Sequence, residues 1–105
     1  MNLIVPLGPR DRGEAVANLQ EALLLLIRRQ SIVVAAEEFD LPGKLEREQT
    51  TQRFSDATMR AVALFRDQSR QRFGLEPGEI VDRSTADALN QILQEIGAFD
   101  VPQAE

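Results

Sequence analysis

Apolar residues recur at spacings of three and four along three stretches of the chain, the period of a helix that buries one side. The first stretch runs from about Gly13 to Arg29, with Val16, Leu19, Leu23, Leu26 and Ile27 on one face and Leu24 and Leu25 widening it. The pattern predicts a helix buried on more than one side, capped by Asp11, with Arg28 and Arg29 at the negative end of its dipole. The second stretch begins at Ser55 or Asp56 and continues to about Gln71, with Ala57, Ala61, Val62, Phe65 and Ser69 in phase. Ser55 or Asp56 is placed to accept from the free amides of the first turn, and Gly74 to end the helix. The third stretch starts at Asp82 or Ser84, carries Ala88, Leu89, Ile92, Leu93 and Ile96, and stops at Gly97. Its "STAD" follows the S-x-x-[DE] capping-box form, with Asp87 in place of the longer Glu.

The two later stretches share a spacing: Thr58, Ala61, Val62 and Phe65 correspond to Thr85, Ala88, Leu89 and Ile92. Two amphipathic helices in one core account for these apolar positions, and the small alanines predict close approach of another helix. Between them, "LEPGEIV" predicts a Pro-Gly turn followed by a very short extended piece. Residues 31–53 have no clear period. In "SIVVAAEEF" the β-branched residues and the alanines pull in opposite directions, so the segment reads either as more helix or as a short strand. "LPGK" predicts a turn, and "LEREQTTQR" a solvated loop or one loose helical turn. The expectation is an all-α, three-helix domain over residues 1–98 with short extended connections. Residues 31–53 form an insertion in it, and the tail 99–105 reads as the start of a linker.

Composition narrows what such a domain does. A chain of 105 residues fits one domain with a modest core, and 43% hydrophobic with 28% charged residues is ordinary for a soluble globule. The net charge of −5 argues against a phosphate-backbone binder, since that needs clustered Lys and Arg. Arg66, Arg70 and Arg72 could form a local basic patch, but no aromatic residue interleaves them usefully. The third helix has two acidic residues and no basic one within "STADALNQILQEIG", unfavourable for a groove-entering helix. No nucleic acid is therefore expected as a partner.

The chain has no His and no Cys, which removes the common zinc sets, Ser–His and Cys–His pairs, and disulfides. No calcium-loop signature is present either, so no metal, no cofactor and no catalytic activity are expected. Glu37 with Glu38, and Glu46 with Glu48, could do acid–base work in principle. Without a nucleophile or an orienting partner they read as solvated runs. Trp and Tyr are absent, and four of the five Phe fall at positions suited to a core. The opening "MNLIVPLGPR" lacks the basic region of a secretory signal, and the longest apolar run, "ALLLLI", is too short to span a bilayer. No membrane insertion is predicted, and localisation stays open.

Three blocks in order then carry a resemblance. "LGPRDRGEAVANLQEAL", "FSDATMRAVALFRDQ" and "FGLEPGEIVDRSTADAL" resemble the peptidoglycan-binding-like domain of bacterial cell-wall enzymes. The first block matches at Gly13, Val16, Leu19, Gln20 and Leu23, with Gly8 displaced from the family's glycine position. The second matches at Phe54, Thr58, Ala61, Val62 and Phe65, and the third at Gly74, Leu75, Gly78, Val81, Thr85 and Leu89. Ser55 stands where the family has Gly, and Arg66 where it has Gln. The link before Phe54 is longer than usual and lacks the customary aromatic-and-glycine turn. The resemblance implies a compact non-catalytic appendage of amidases, carboxypeptidases, lytic enzymes or other envelope proteins. Its partner would be the peptidoglycan glycan or stem peptide, in the cell envelope or outside the cell if the parent is secreted. The alternative is a structural or protein-interaction module of a multidomain secreted or toxin-like protein, which kept the fold and contacts neighbouring domains.

Four residues are the ligand-binding candidates that follow from this reading. Gln20 could offer its amide to glycan or stem peptide, against the alternative of bonding a neighbouring backbone segment. Thr58, like Thr85, could bond a ligand or serve local backbone amides. Asp56 reads first as a cap, as does Asp82. Arg66 could pair with a stem carboxylate in the fork geometry that guanidinium suits, or stay on the helix surface, paired with Asp67 or Asp56 or simply solvated.

Overall fold

The longest apolar stripe forms α1, Glu14–Arg28, and buries Val16, Leu19, Leu23, Leu24 and Leu26. This computed structural model describes residues 1–99, so of the predicted tail only Phe99 falls within it, packed against the core. The cap of α1 differs from expectation. Gly13 occupies the N-cap position with φ 108° and ψ −160°, a conformation closed to L side chains, and no side chain caps the helix. Asp11 instead accepts from the Gly8 N–H at 2.8 Å, closing the turn that leads into α1.

The unreadable segment holds a helix. After a 3-10 turn at Ala36–Glu38, α2 spans Leu41–Thr51 and packs along α1, burying Leu41 and Leu45 in the core. Both the turn expected at "LPGK" and the loop expected at "LEREQTTQR" are therefore corrected. Pro42 lies in the first turn, where its missing N–H costs no intrahelical bond, and Leu41, Leu45 and Glu48 share one face.

The second predicted helix is broken in two: α3, Asp56–Gln68, and a single turn α4, Arg70–Phe73. Gly74 then takes φ 67° and stops the chain, as expected. The third becomes α5, Arg83–Glu95, capped by Asp82 through the Thr85 amide at 2.9 Å and ending before Gly97. Asp87 takes no part in a capping box and lies 3.7 Å from Arg83. The molecule is thus a compact all-α globule of five helices with no strand among the described residues, where three helices were expected. Ala61 and Ala88 are both buried in the core.

The extended connections are satisfied without a sheet. Leu7 and Val81 exchange both backbone hydrogen bonds at 2.9 Å, forming the short extended contact expected after the Pro-Gly turn. Elsewhere carboxamides stand in for a partner strand. Asn18 bonds both the N–H and C=O of Asn2, Asn90 those of Ile4, and Gln68 those of Val33. Each clamp meets the donor and acceptor of one residue at once, which ties the N-terminal segment and the 31–35 segment to the helices.

Candidate functional site

Three of the four candidates, Gln20, Thr58 and Arg66, are buried. Gln20 on α1 is buried, and its Nε2 donates to the Arg53 carbonyl at 2.7 Å and to Thr58 Oγ1 at 2.9 Å. Its Oε1 is buried with no partner among the described residues. Thr58 is also buried, and both its N–H and its hydroxyl donate to Glu48 Oε1, at 2.9 and 2.7 Å. The chain of donors runs Gln20 to Thr58 to Glu48 and ties α1, α3 and α2 together. The bond to the Arg53 carbonyl is the backbone role weighed for Gln20, whereas the Thr58 hydroxyl serves no local backbone amide and reaches Glu48 on another helix instead.

The cap of α3 comes from outside the helix. Glu48 accepts from Ser55 N–H at 3.2 Å, Ala57 N–H at 2.7 Å and Thr58 N–H at 2.9 Å. Ser55 sits at the N-cap position but its side chain makes no cap bond, and Asp56 is exposed. The carboxylate lies at the positive end of the α3 dipole, where negative charge is favoured. Glu48 is therefore a structural anchor and no part of a solvated run. Its signal in the sequence was the helical spacing of Leu41, Leu45 and Glu48, hidden by the Pro-Gly pair at 42–43.

Arg66 also departs from both readings given to it. It is 5% exposed and touches neither Asp67 nor Asp56; Nε donates to the Glu76 carbonyl and Nη1 to the Ile80 carbonyl, each at 2.8 Å. Nη2 lies 3.5 Å from Asp82 Oδ2. The guanidinium thus organises the 76–82 loop, and Gly78 makes room for it: a Cβ there would sit 3.1 Å from Cζ and Nη1. The Thr85 hydroxyl and amide, with the Arg66 charge behind them, hold the Asp82 carboxyl below the usual aspartate range. With Arg66 buried, and Arg72 paired to Glu95 and set over the Phe73 ring, the basic patch considered at 66–72 does not form.

Asp56 alone among the four faces solvent at a cleft. That cleft, about 390 Å³, is lined by Glu37, Glu38, Asp40, Lys44, Asp56 and Arg60, with Leu41 and Ala57 at its floor. Arg60 grips Glu38 through two hydrogen bonds of 2.7 Å, and Lys44 pairs with Asp40 at 3.2 Å. The bond to Arg60 lowers the pKa of Glu38, and the same bond raises that of Arg60. Glu37 and Asp56 have no ion-pair partner among the described residues. The arrangement is polar, shallow and of mixed sign, suited to hydrogen bonding a polar ligand. No group of His, Cys, Asp or Glu among the described residues has metal-holding geometry, and no helix among them is long and apolar enough to cross a membrane. No family model, curated protein or solved structure matches the chain.

Proposed function

We propose that the chain is a non-catalytic binding module of the peptidoglycan-binding-like type, holding a larger bacterial protein at the cell wall. The observation that carries this reading is the meeting of the three motif blocks in one core. Gln20 of the first block bonds Thr58 of the second, and Val16, Leu19 and Leu23 are buried together with Phe54, Phe65, Leu75, Val81 and Leu89. The residues that carry the resemblance are thus residues the fold uses. Recognition is assigned to the cleft at the start of α3, where Asp56 and Glu37 accept from glycan hydroxyls or stem amides and Lys44 meets a stem carboxylate. Gln20 and Thr58 support that surface from beneath, through the bonds that hold Glu48 at the start of α3. The test is co-sedimentation with isolated sacculi at low and physiological salt. Retention that is lost in a Lys44→Ala/Asp56→Ala variant of unchanged melting temperature supports the reading, and a wild-type domain left in the supernatant ends it.

A protein-interaction module is the second reading, favoured by two exposed apolar residues in the 31–53 segment, Phe39 at 81% and Val33 at 62%. Deleting the segment is no test, because it carries Leu41, Leu45 and Glu48. Replacing Phe39 and Val33 with Ser leaves the core intact; if binding to the flanking domains of the parent protein does not change, this reading fails.

A further inference from the structure

Arg12 and Arg53 face each other across an antiparallel bridge. The Gly13 N–H donates to the Gln52 carbonyl at 3.0 Å, beside the pair and not within it. The two arginines therefore form the closer, non-hydrogen-bonded kind of antiparallel pair, with Cα atoms roughly 4.5 Å apart and side chains on one face. The backbone beneath them is fixed: the Arg53 N–H donates to the Glu48 carbonyl at 3.2 Å, and the Arg53 carbonyl accepts from Gln20 at 2.7 Å. Both residues are exposed, and neither makes an ion pair with any described residue.

The acidic residues nearest in the chain are engaged or directed elsewhere. Asp11 accepts from the Gly8 N–H, Glu48 caps α3, Asp56 lines the cleft, and Glu14 lines a trough with Asn18 and Gln52. Like charges directly opposite each other destabilise an antiparallel pair. A chain with 17 acidic and 12 basic residues has carboxylates to spare, yet none of the described ones pairs with either arginine. A local rule broken without compensation marks a functional position.

We propose that Arg12 and Arg53 form a two-pronged site for a single phosphate-type dianion, such as a phosphate monoester. Each guanidinium presents a planar fork of N–H donors that matches two oxygens of the anion. Two negative charges balance both cations and relieve their repulsion, whereas a lone carboxylate leaves one cation in excess. A polyanion is disfavoured, because the net charge of −5 repels it beyond this spot. Neither arginine lines the cleft at the start of α3, so the site does not depend on wall binding.

The experiment titrates the intact chain with methyl phosphate at about pH 7, where a phosphate monoester is mainly dianionic. Acetate is titrated in parallel, with sodium chloride holding the ionic strength equal. NMR follows the Arg Nε–H signals and the amides of residues 12–14 and 52–54. The expected result is a saturable shift confined to these signals, with a Kd on the order of 1 mM. Arg12→Gln and Arg53→Gln should each weaken it about tenfold or more, while the melting temperature in chloride stays close to that of the wild type, since neither side chain belongs to the core. No saturable shift with methyl phosphate, or equal affinity in either variant, overturns the proposal. Acetate binding as tightly as methyl phosphate overturns it too, and reduces the pair to a general contact for single negative charges.

Discussion

The Glu48 carboxylate on α2 caps α3 by accepting from both the N–H and the hydroxyl of Thr58, at 2.9 and 2.7 Å. Ten residues separate the two, and no local cap competes, since the Ser55 side chain makes no bond to the first turn. The contact makes α2 a working part of the domain, because the start of α3 depends on where α2 docks.

Glu48→Ala leaves three backbone amides and a hydroxyl without their acceptor, so it should destabilise the domain by about 2–3 kcal/mol. Ser55→Ala should cost less than about 0.5 kcal/mol. Urea unfolding followed by circular dichroism compares them, and equal losses would show that the cap is local after all.

Leu45 is fully buried on α2. Leu45→Ala should cost about 2–5 kcal/mol, as for a core leucine elsewhere. A cost near zero would mean that α2 is a dispensable decoration.

Arg66→Lys keeps the charge but cannot serve the Glu76 and Ile80 carbonyls together, for want of a planar fork. A loss of about 1–3 kcal/mol is expected, with faster amide exchange across residues 76–82. Gly78→Ala should loosen the same loop, because its Cβ would crowd the guanidinium. Unchanged exchange in both variants would remove Arg66 as the organiser.

Asp82 titrates below its ordinary value of 3.8 in the folded protein. Its ionised form is therefore favoured by folding, and the stability it contributes is complete above the unfolded-state pKa. That contribution is lost as pH falls through the lower, folded-state value. Asp82→Asn keeps an N-cap acceptor yet cannot titrate. Its melting temperature should fall less steeply than that of the wild type between pH 5 and the acid limit, roughly pH 2. Parallel acid limbs in the two proteins would contradict the assignment.

Asp56→Ala and Lys44→Ala should leave stability within about 0.5 kcal/mol, both being exposed, while reducing retention on sacculi. Gln20→Ala should do the reverse, losing about 1–3 kcal/mol by leaving Thr58 and the Arg53 carbonyl short of a donor. Loss of retention without loss of stability in Q20A would return that residue to the binding surface.

Local chemistry alone determined much of the architecture. The 3.6-residue stripes placed α1, α3 and α5, because burial of one face enforces that period whatever lies opposite. Gly74 and Asp82 were legible for the same reason: a left-handed stop and an N-cap act on their own neighbours. What depended on residues far apart in the chain was not legible. The helix α2 has only two buried apolar residues, Leu41 and Leu45, and begins with a Pro-Gly pair, so it takes its stability from docking on α1 and from the bonds Glu48 makes to α3. Arg66 reads as a surface cation until the 76–82 loop folds over it. For Gln20 and Thr58 the sequence left a structural role and a ligand-binding role both open, until three helices close around them. Of the candidate site, sequence supplied Asp56 and the region around the start of α3. Only tertiary structure decided which polar side chains face solvent there, because hydrogen-bond partners ten to dozens of residues away decide whether a donor is free.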